Sequence, residues 1–435
     1  MRWLALGALG VAVVAAFALS RKTAPPVPQD AGPPPSSIVP PSTHATVSLF
    51  DDGAPMVGRT VVFHDADGRV LAATKSGADG KAIGPIPSHG LVTVVYGTSL
   101  KHLVTIAGVE PNDEVLIGEK DNDEEATGDT SAIAKVTLPS AHPRAARYAV
   151  ELGVGTNSVL DAGAPVRLPV MHRYLDESRH FHVLGLALDA DGGALAYTHR
   201  EAPAADAGDT EVKLPAWKTD WRQQRMRILH PRGFTSVKAD FDVHVGEARF
   251  DHRESAALDD PDTNLAFDIA RPLGPSATYR VEVATAGSAS DRAILVRRDA
   301  KMPEIVLIDL AHVPRVSNAV LDVEGAARPV LQWRTDGDTS KAHALVMQVS
   351  WPATKDHVWT ILAPPTTTPG FTLPSLPPEL ASEVPTRGAL PGVALVEASE
   401  YSGYADVKKK WIHLLSELPE EDGTLRLSLT GEIDF

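Results

Sequence analysis

Apolar and polar residues alternate in short runs along most of the chain after residue 45, and turn residues separate the runs. Val61–Phe63, His180–Leu188 and Val237–Val245 are examples. Asp-Gly pairs stand among these runs and favour tight turns, because glycine accepts the positive φ that such turns need. The chain has six of these pairs, ending at Gly53, Gly68, Gly80, Gly192, Gly337 and Gly423. The pattern predicts an all-β protein with several sandwiches in series.

The stretch from residue 405 to residue 418 departs from this alternation. Lys408–Lys410 lie on one side of a helical projection, and Pro419 would end a helix. The apolar residues at helical spacing are Val407, Trp411, Leu414, Leu415 and Leu418. The spacing predicts a helix, and a last strand through Trp411–Leu414 is the alternative. Leu425–Leu429 alternates again and is predicted to be the closing strand.

An uncharged apolar segment, Trp3–Leu19, lies near the start of the chain. Such a segment is typical of a signal peptide or of a single membrane anchor, and we assign residues 1–23 to one of the two. Ala16–Ala18 has the small-x-small pattern of a cleavage site, whereas Arg21 and Lys22 disfavour cleavage. Both alternatives predict an extracytoplasmic protein of the cell envelope, either secreted or anchored to the membrane through the uncleaved segment.

Two further segments have the composition of linkers. Residues 24–44 are rich in proline, with eight prolines within Ala24–Pro41. Proline fixes φ and lacks a backbone donor, so this segment is predicted to be an extended spacer. Residues 119–135 begin with an acidic run, in which six of the eleven residues of Glu119–Asp129 are acidic. We interpret this run as a solvated linker, with a calcium-stabilised joint as the alternative.

The charge balance and the amino-acid types exclude some functions. There are 41 basic and 56 acidic residues, a net charge of -15, and no long basic run. A nucleic-acid partner is therefore not expected, because binding needs a cationic surface that neutralises phosphates. The chain has no cysteine, which rules out disulfides, thiolate metal sites and a cysteine nucleophile.

Residues 46–98 resemble the carboxypeptidase regulatory-like domain. The resemblance rests on Gly53–Gly58, the two turns at Asp67-Gly68 and Asp79-Gly80, and the segment Pro87–Val94. It implies a transthyretin-like β-sandwich over residues 45–118, the first module, which would act as a binding or spacing unit without catalytic residues. Ala82 departs from the family, which usually has an aromatic residue there.

Residues 328–404 resemble a fibronectin type III domain. Trp333 corresponds to the core tryptophan of that family, and Val393 stands where a tyrosine is usual. The resemblance implies a sandwich over residues 313–435, the fourth module, ending in the predicted helix or strand. Between these resemblances, residues 136–218 (the second module) have the strand spacing of an immunoglobulin-like sandwich. Residues 219–312 (the third module) are predicted to be a further sandwich.

Two histidines, His180 and His182, are the candidate metal ligands on a predicted strand. Residues two apart on a strand point to one face, so the pair could bind zinc together with His172 or His199. The same face continues as leucines at positions 184, 186 and 188. Packed or edge histidines without a metal are therefore the alternative.

Acidic residues supply a second possible metal site. Asp259, Asp260 and Asp262, close to Asn264, form the richest oxygen cluster and are candidate calcium ligands. An ordinary acidic loop is the alternative, and no other cofactor is expected. Two Asp-Ala-Asp-Gly segments, at residues 65–68 and 189–192, lack the further ligands of a helix-loop-helix calcium site, and turn chemistry explains them.

The sequence favours a non-catalytic binding, adhesion or scaffolding role, with an envelope or extracellular protein or glycan as partner. No G-x-S-x-G, H-E-x-x-H or Walker motif occurs in the chain. The alternative is a hydrolase, or an accessory subunit of an exported enzyme, with its site in residues 148–298. His180 and His182 grouped with acidic residues in a cleft would favour the enzyme, and their dispersal over flat sheet faces would favour the binding protein.

Overall fold

The computed structural model shows most of the chain after residue 42. It describes residues 43–51, 53–97, 101–118, 130–153, 156–160, 165–172, 175–176, 178–205, 208–230, 233–245, 248–258, 262–270, 276–286, 291–324, 328–352, 357–366, 368–416, 422–431 and 433. The predicted signal peptide or anchor, the proline-rich spacer up to residue 42, the acidic run and Asp259 and Asp260 lie outside these residues, whereas His44 at the end of the predicted spacer begins the first strand.

The strands of the first and second modules follow one another closely. The first module holds β1 His44–Asp51, β2 Ala54–Pro55, β3 Thr60–His64, β4 Val70–Lys75, β5 Lys81–Pro85, β6 Gly90–Tyr96, β7 Lys101–Val109 and β8 Glu114–Ile117. Strand β9 Thr130–Thr137 spans the end of the predicted linker and the start of the second module, one of whose sheets it joins. The second module continues with β10 Arg147–Gly153, β11 Thr156–Leu160, β12 Val166–Met171, β13 His180–Leu188, β14 Ala194–Pro203 and β15 Asp209–Lys213.

The third and fourth modules continue in the same way. The third module holds β16 Arg222–Leu229, β17 Ser236–Val245, β18 Ala248–Ala257, β19 Asp262–Ile269, β20 Ser276–Ala284, β21 Arg292–Asp299 and β22 Ile305–Asp309. The fourth holds β23 Arg315–Asp322, β24 Val330–Asp336, β25 Ala344–Trp351, β26 His357–Ala363, β27 Gly370–Thr372, a 3-10 helix Pro378–Glu383, β28 Leu390–Ala398, α1 Tyr404–Ser416 and β29 Thr424–Gly431.

These strands follow from the alternation of side chains along the chain. In β16, for example, the buried residues are Gln224, Met226 and Ile228, whereas the residues between them are exposed. A strand with this pattern buries one face against a core and leaves the other in water. The structure is therefore an all-β protein of packed β-sheets, as the sequence predicts.

A 12-stranded sheet runs through three of the four modules. Its strand order is β18-β17-β20-β21-β29-β28-β25-β26-β7-β6-β3-β4. The closing strand β29 is hydrogen-bonded between β21 of the third module and β28 of the fourth. Strand β26 of the fourth module pairs in parallel with β7 of the first. The predicted module boundaries stay predictions, and the structure adds that hydrogen-bonded pairing crosses from one module to another.

Besides the long sheet, the described residues form five smaller sheets. Strand β1 pairs with β2, β5 and β8, and β23-β24-β27 form a second small sheet. The second module has two sheets of its own, β11-β10-β13-β14 and β12-β9-β15, and the third module adds β19-β16-β22. These sheets cover the faces of the long sheet or, in the second module, one another.

The long sheet is buried on both faces where the first and fourth modules meet. Val92 and Val104 belong to one apolar core together with residues of β1, β5 and β8. Leu91 and Leu103, which point the opposite way, belong to a second core together with Trp333 of β24. Adjacent residues of a strand thus pack into different cores, so the sheet is the middle of three layers.

The C-terminal helix prediction is confirmed, because α1 spans Tyr404–Ser416, and the alternative strand through Trp411–Leu414 is wrong. The predicted closing strand Leu425–Leu429 is confirmed within β29, and the alternating run His180–Leu188 coincides with β13. Within the described ranges, the chain forms no helix with the length and apolar character of a membrane span. The two family resemblances stay predictions beyond the all-β fold.

Candidate functional site

The candidate site lies on the two paired strands β13 and β14 of the second module. In their register His182 lies opposite Glu201, and Leu184 lies opposite His199. Opposite residues of an antiparallel pair share a face, and so do residues two apart on one strand. His180, His182, His199 and Glu201 therefore point to the same side of the sheet, as the sequence predicts for the first two.

His182 and His199 form a close pair. The Nδ1 atom of His182 lies 3.1 Å from Nε2 of His199, within hydrogen-bonding distance, and the rings stack with centroids 5.3 Å apart. Burial lowers the pKa of His182, while Glu201 and Asp176 act against that shift. Burial and then the nearby His182 and Lys218 lower the pKa of His199 to about 4. Because both pKa shifts are downward, the pair is uncharged at neutral pH, with one ring donating to the other.

A tight turn brings Asp176 to the start of β13. Its Oδ1 accepts hydrogen bonds from the backbone N–H groups of Ser178, at 2.9 Å, and His180, at 2.8 Å. The carbonyl of Asp176 accepts a third from Arg179, whose φ of 60° places it in the left-handed region. Aspartate closes turns in this way because its short side chain reaches backbone donors two to four residues ahead.

Three side chains converge beyond this turn. One ligand atom each from Asp176, His180 and Glu201 lie within 4.8 Å of one another. The Nδ1 atom of His180 is 3.9 Å from Oδ1 of Asp176. Both carboxylates are exposed, whereas the imidazole is half-buried. We call these three residues the Asp-His-Glu cluster.

The sheet face that carries the cluster continues into the core of the third module. Leu184 and Tyr197, farther along β13 and β14, are buried with Met226 and Ile228 of β16. The hydroxyl of Tyr197 donates to Asp220 at 2.9 Å. Leu184 and, in part, Leu186 of this face are thus covered by the next module, while the cluster lies at the exposed end of the face.

The sequence identified part of this site and missed the rest. His180 and His199 lie at the site, whereas His172 is exposed and is not one of the three clustered residues. Asp176 and Glu201 were not among the candidates. The position of Asp176, four residues before His180, is a sequence signal for a turn. The alignment of Glu201 with His182 depends on a shift in the strand register between Ala187 and Leu188, for which the sequence pattern gives no signal.

The predicted acidic cluster has a different outcome. Asp259 and Asp260 lie outside the described residues, so calcium binding there stays a prediction. The carboxylate of Asp262 pairs with the Arg227 guanidinium through contacts of 2.6 to 3.1 Å. The hydrogen bond from Arg227 lowers the pKa of Asp262. Asp262 is therefore engaged in an ion pair across β16 and β19.

The turn interpretation of the two Asp-Ala-Asp-Gly segments is confirmed. Oδ1 of Asp65 accepts the N–H of Arg69 at 2.8 Å. Oδ1 of Asp189 accepts those of Asp191, at 3.0 Å, and Gly193, at 2.7 Å. Both aspartates thus close their hairpins with their own side chains.

Comparison with protein-family models and with curated proteins gives no match. Among solved structures, the chain is similar to the Bacillus anthracis TIE protein, with 8% identity, a TM-score of 0.14 and coverage of 62% of this chain and 50% of that one. It is also similar to a streptococcal ancillary pilin, with 6% identity, a TM-score of 0.16 and coverage of 61% of this chain and 97% of that one. A tetra-tandem repeat from the extending region of a large adhesion protein has 13% identity and a TM-score of 0.14, with coverage of 81% of this chain and 95% of that one. The chain spans half the length of the first of these, and at such TM-scores the likenesses carry no functional argument.

Proposed function

We propose that this chain is an exported protein of the cell envelope that binds or scaffolds envelope or extracellular proteins or glycans without catalysing a reaction. The observation that carries the proposal is the 12-stranded sheet, which joins strands of the first, third and fourth modules. Since neighbouring strands lie roughly 4.8 Å apart, such a sheet is about 50 Å wide. A continuous sheet of this width suits a body that holds binding surfaces at fixed positions.

Buried hydrogen bonds support the junction between the first and fourth modules. His64 Nε2 lies 3.0 Å from the Thr93 hydroxyl, which lies 2.8 Å from the hydroxyl of Thr105. The indole N–H of Trp359 on β26 donates to Thr105 at 2.8 Å. This chain of hydrogen bonds crosses four neighbouring strands in an apolar core, where each bond is costly to leave unmade.

The helix α1 supports the same junction from the other face of the sheet. The hydroxyl of Tyr404 donates to the carbonyl of Ala107 on β7, at 2.7 Å, and lies 3.1 Å from that of Leu362 on β26. Lys408 donates to the Gly108 carbonyl at 2.9 Å and pairs with the Asp113 carboxylate. Burial raises the pKa of the Tyr404 hydroxyl, so it stays a neutral donor.

A partly buried ion pair supports the junction between the third and fourth modules. Arg315 of β23 donates to Oδ2 of Asp291 through Nε, at 2.8 Å, and Nη2, at 2.6 Å. The hydroxyl of Thr430 on β29 donates to the other carboxylate oxygen at 2.9 Å. The two hydrogen bonds from Arg315 and the one from Thr430 together engage both oxygens of the carboxylate and restrict its orientation. The first, third and fourth modules are therefore suited to act as one body.

Export would place this body outside the cytoplasm. The apolar segment Trp3–Leu19 and the proline-rich residues 24–44 support this part of the proposal. The experiment is to express the full chain with a C-terminal tag, separate cytoplasmic, envelope and secreted fractions, and treat intact cells with a protease. We expect the tag in the envelope or secreted fraction. Val13→Arg, which interrupts the apolar segment, should hold the chain in the cytoplasm, and the spacer change Val27→Arg should not.

A pull-down with the full chain from envelope extract tests the binding role. A protein or glycan retained in a saturable way and recovered unaltered supports the proposal, and a wild-type chain that stays cytoplasmic or retains nothing contradicts it.

A hydrolase or accessory subunit with its site in residues 148–298 is the second candidate, because the structure groups histidines with carboxylates there. Retained material that is cleaved by the wild type and left intact by His199→Gln would favour the enzyme.

A further inference from the structure

We propose that Asp176, His180 and Glu201 bind a divalent transition-metal ion of the zinc class. The site is independent of the proposed envelope role, since it lies in the second module and away from the junctions of the long sheet. Its donors come from the turn before β13, from β13 itself and from β14. They are therefore brought together only when the β13–β14 pair and the turn have formed.

The spacing of the donors fits one ion. Zinc binds imidazole nitrogen and carboxylate oxygen at about 2.0–2.2 Å, so two ligands in a tetrahedral site lie roughly 3.5 Å apart. Nδ1 of His180 and Oδ1 of Asp176 are 3.9 Å apart, and all three ligand atoms lie within 4.8 Å of one another. These separations exceed the tetrahedral spacing, so binding would require the exposed carboxylates to rotate toward the ion, and water would complete the shell.

A second observation concerns the imidazole of His180. Its Nδ1 atom is buried and has no hydrogen-bond partner among the described residues. A buried polar atom without a partner is destabilising, and such atoms are uncommon in folded proteins. This nitrogen lies 3.9 Å from Oδ1 of Asp176, and a bound cation would satisfy its lone pair.

The donor types favour a transition metal over calcium. Calcium prefers six to eight oxygen ligands, whereas imidazole is a ligand for zinc and its neighbours. Imidazole nitrogen and carboxylate oxygen are both ligand types that zinc binds, and a site with three protein ligands leaves a position for water. Both carboxylates are exposed, so an ion can enter from solvent.

The surroundings hold two of the ligands in place. The backbone N–H groups of Ser178 and His180 fix Oδ1 of Asp176, and the paired strands set Glu201 beside β13. Hydrogen bonds to a ligand that restrict its orientation are typical of metal sites. The ligand set differs from the predicted one, because Nδ1 of His182 faces His199 instead.

The test is zinc binding by the full chain after removal of metal with EDTA, measured by calorimetry, with cobalt absorption as a second readout. We expect one site that is lost or weakened at least about 100-fold in His180→Gln and in Glu201→Gln, since even indirect partners of a metal cost 10–100-fold when removed. His172→Gln and Glu211→Gln are matched controls in the same module and should bind like the wild type.

Thermal unfolding separates loss of the site from loss of the fold. The two site variants should melt like the wild type without metal, and zinc should raise the melting temperature of the wild type alone. Should the site variants misfold, Asp176→Asn, which can keep the turn hydrogen bonds, must still weaken zinc binding. The proposal is overturned if the site variants bind zinc with wild-type stoichiometry and affinity, or if calcium binds there and zinc does not.

Discussion

Thr105 lies at the centre of the buried hydrogen-bond chain that crosses from the first module into the fourth. Its hydroxyl contacts that of Thr93 on one side and accepts the indole N–H of Trp359 on the other. Both threonines are fully buried, and Trp359 is 1% exposed. Replacing Thr105 with valine keeps the shape of the side chain and removes both contacts.

The expected cost follows from the group that is left without a partner. In Thr105→Val the Trp359 N–H stays buried and unbonded, and an unsatisfied buried donor costs about 1–3 kcal/mol. Thr93 keeps its contact with His64, so its hydroxyl adds little. A loss of about 2 kcal/mol makes opening of the β7–β26 pair roughly 30-fold more frequent, because each 1.4 kcal/mol is a factor of ten.

Native-state hydrogen exchange of the full chain measures this opening strand by strand. Amides of residues 101–109 and 357–363 should exchange about 30-fold faster in Thr105→Val, and those of β10 and β13 should not change. Thr360→Val is the matched control, because it lies on the same strand pair and points to the opposite face. In a Trp359→Phe background no indole N–H is left without a partner. The loss in stability caused by Thr105→Val should therefore be smaller there by at least about 1 kcal/mol. Equal costs in both backgrounds would refute the role of the hydrogen-bond chain.

Three further predictions concern the first module and the helix that packs on it. Burial lowers the pKa of His64 from 6.5 to about 4, so the folded chain binds the proton more weakly than the unfolded chain. The contribution of His64 to the free energy of unfolding is therefore complete above pH 6.5 and falls by up to about 3 kcal/mol as the pH drops toward 4. Urea unfolding of the wild type and of His64→Gln at a series of pH values measures this loss. Lys408→Met leaves the partly buried Asp113 carboxylate without its cation and should destabilise helix docking by about 1–3 kcal/mol, seen as faster hydrogen exchange in residues 404–416. Gly84→Ala places a methyl group 2.3 Å from the ring of Phe63 and should cost about 1–3 kcal/mol in the same unfolding assay.

Each of these predictions has a control. For the pH effect, the difference in stability between the wild type and His64→Gln should depend on pH only between about 4 and 6.5. Asp65 raises and Arg328 lowers the pKa of His64, but burial is the largest effect. Lys409→Met, at an exposed position of α1, should leave exchange unchanged. Gly403→Ala, where nothing lies within 4 Å of the added methyl, should be neutral. A pH-independent difference, or equal effects in the paired lysine or glycine variants, would contradict the reasoning.

Part of the candidate site could be predicted from sequence because it depends on local geometry. Residues two apart on a strand share a face, and this alone placed His180 beside His182. An aspartate near a glycine closes a turn by bonding to nearby backbone, and this predicted the roles of Asp65 and Asp189. The cluster itself needed Glu201, which lies 21 positions from His180 and reaches it through the register of two strands.

The sequence alone determined the all-β class, the positions of many strands and the C-terminal helix. These features depend on the period of apolar residues and on turn chemistry within a few residues, and both are visible in one chain. Only the tertiary structure decided that β29 lies between β21 and β28, that β26 pairs with β7, and that Asp176 and Glu201 meet at His180. Strand partners are chosen by the packing of side chains far apart in sequence, and many pairings satisfy the same alternating pattern. The pairing found in the structure is the one that buries both faces of the long sheet where the first and fourth modules meet.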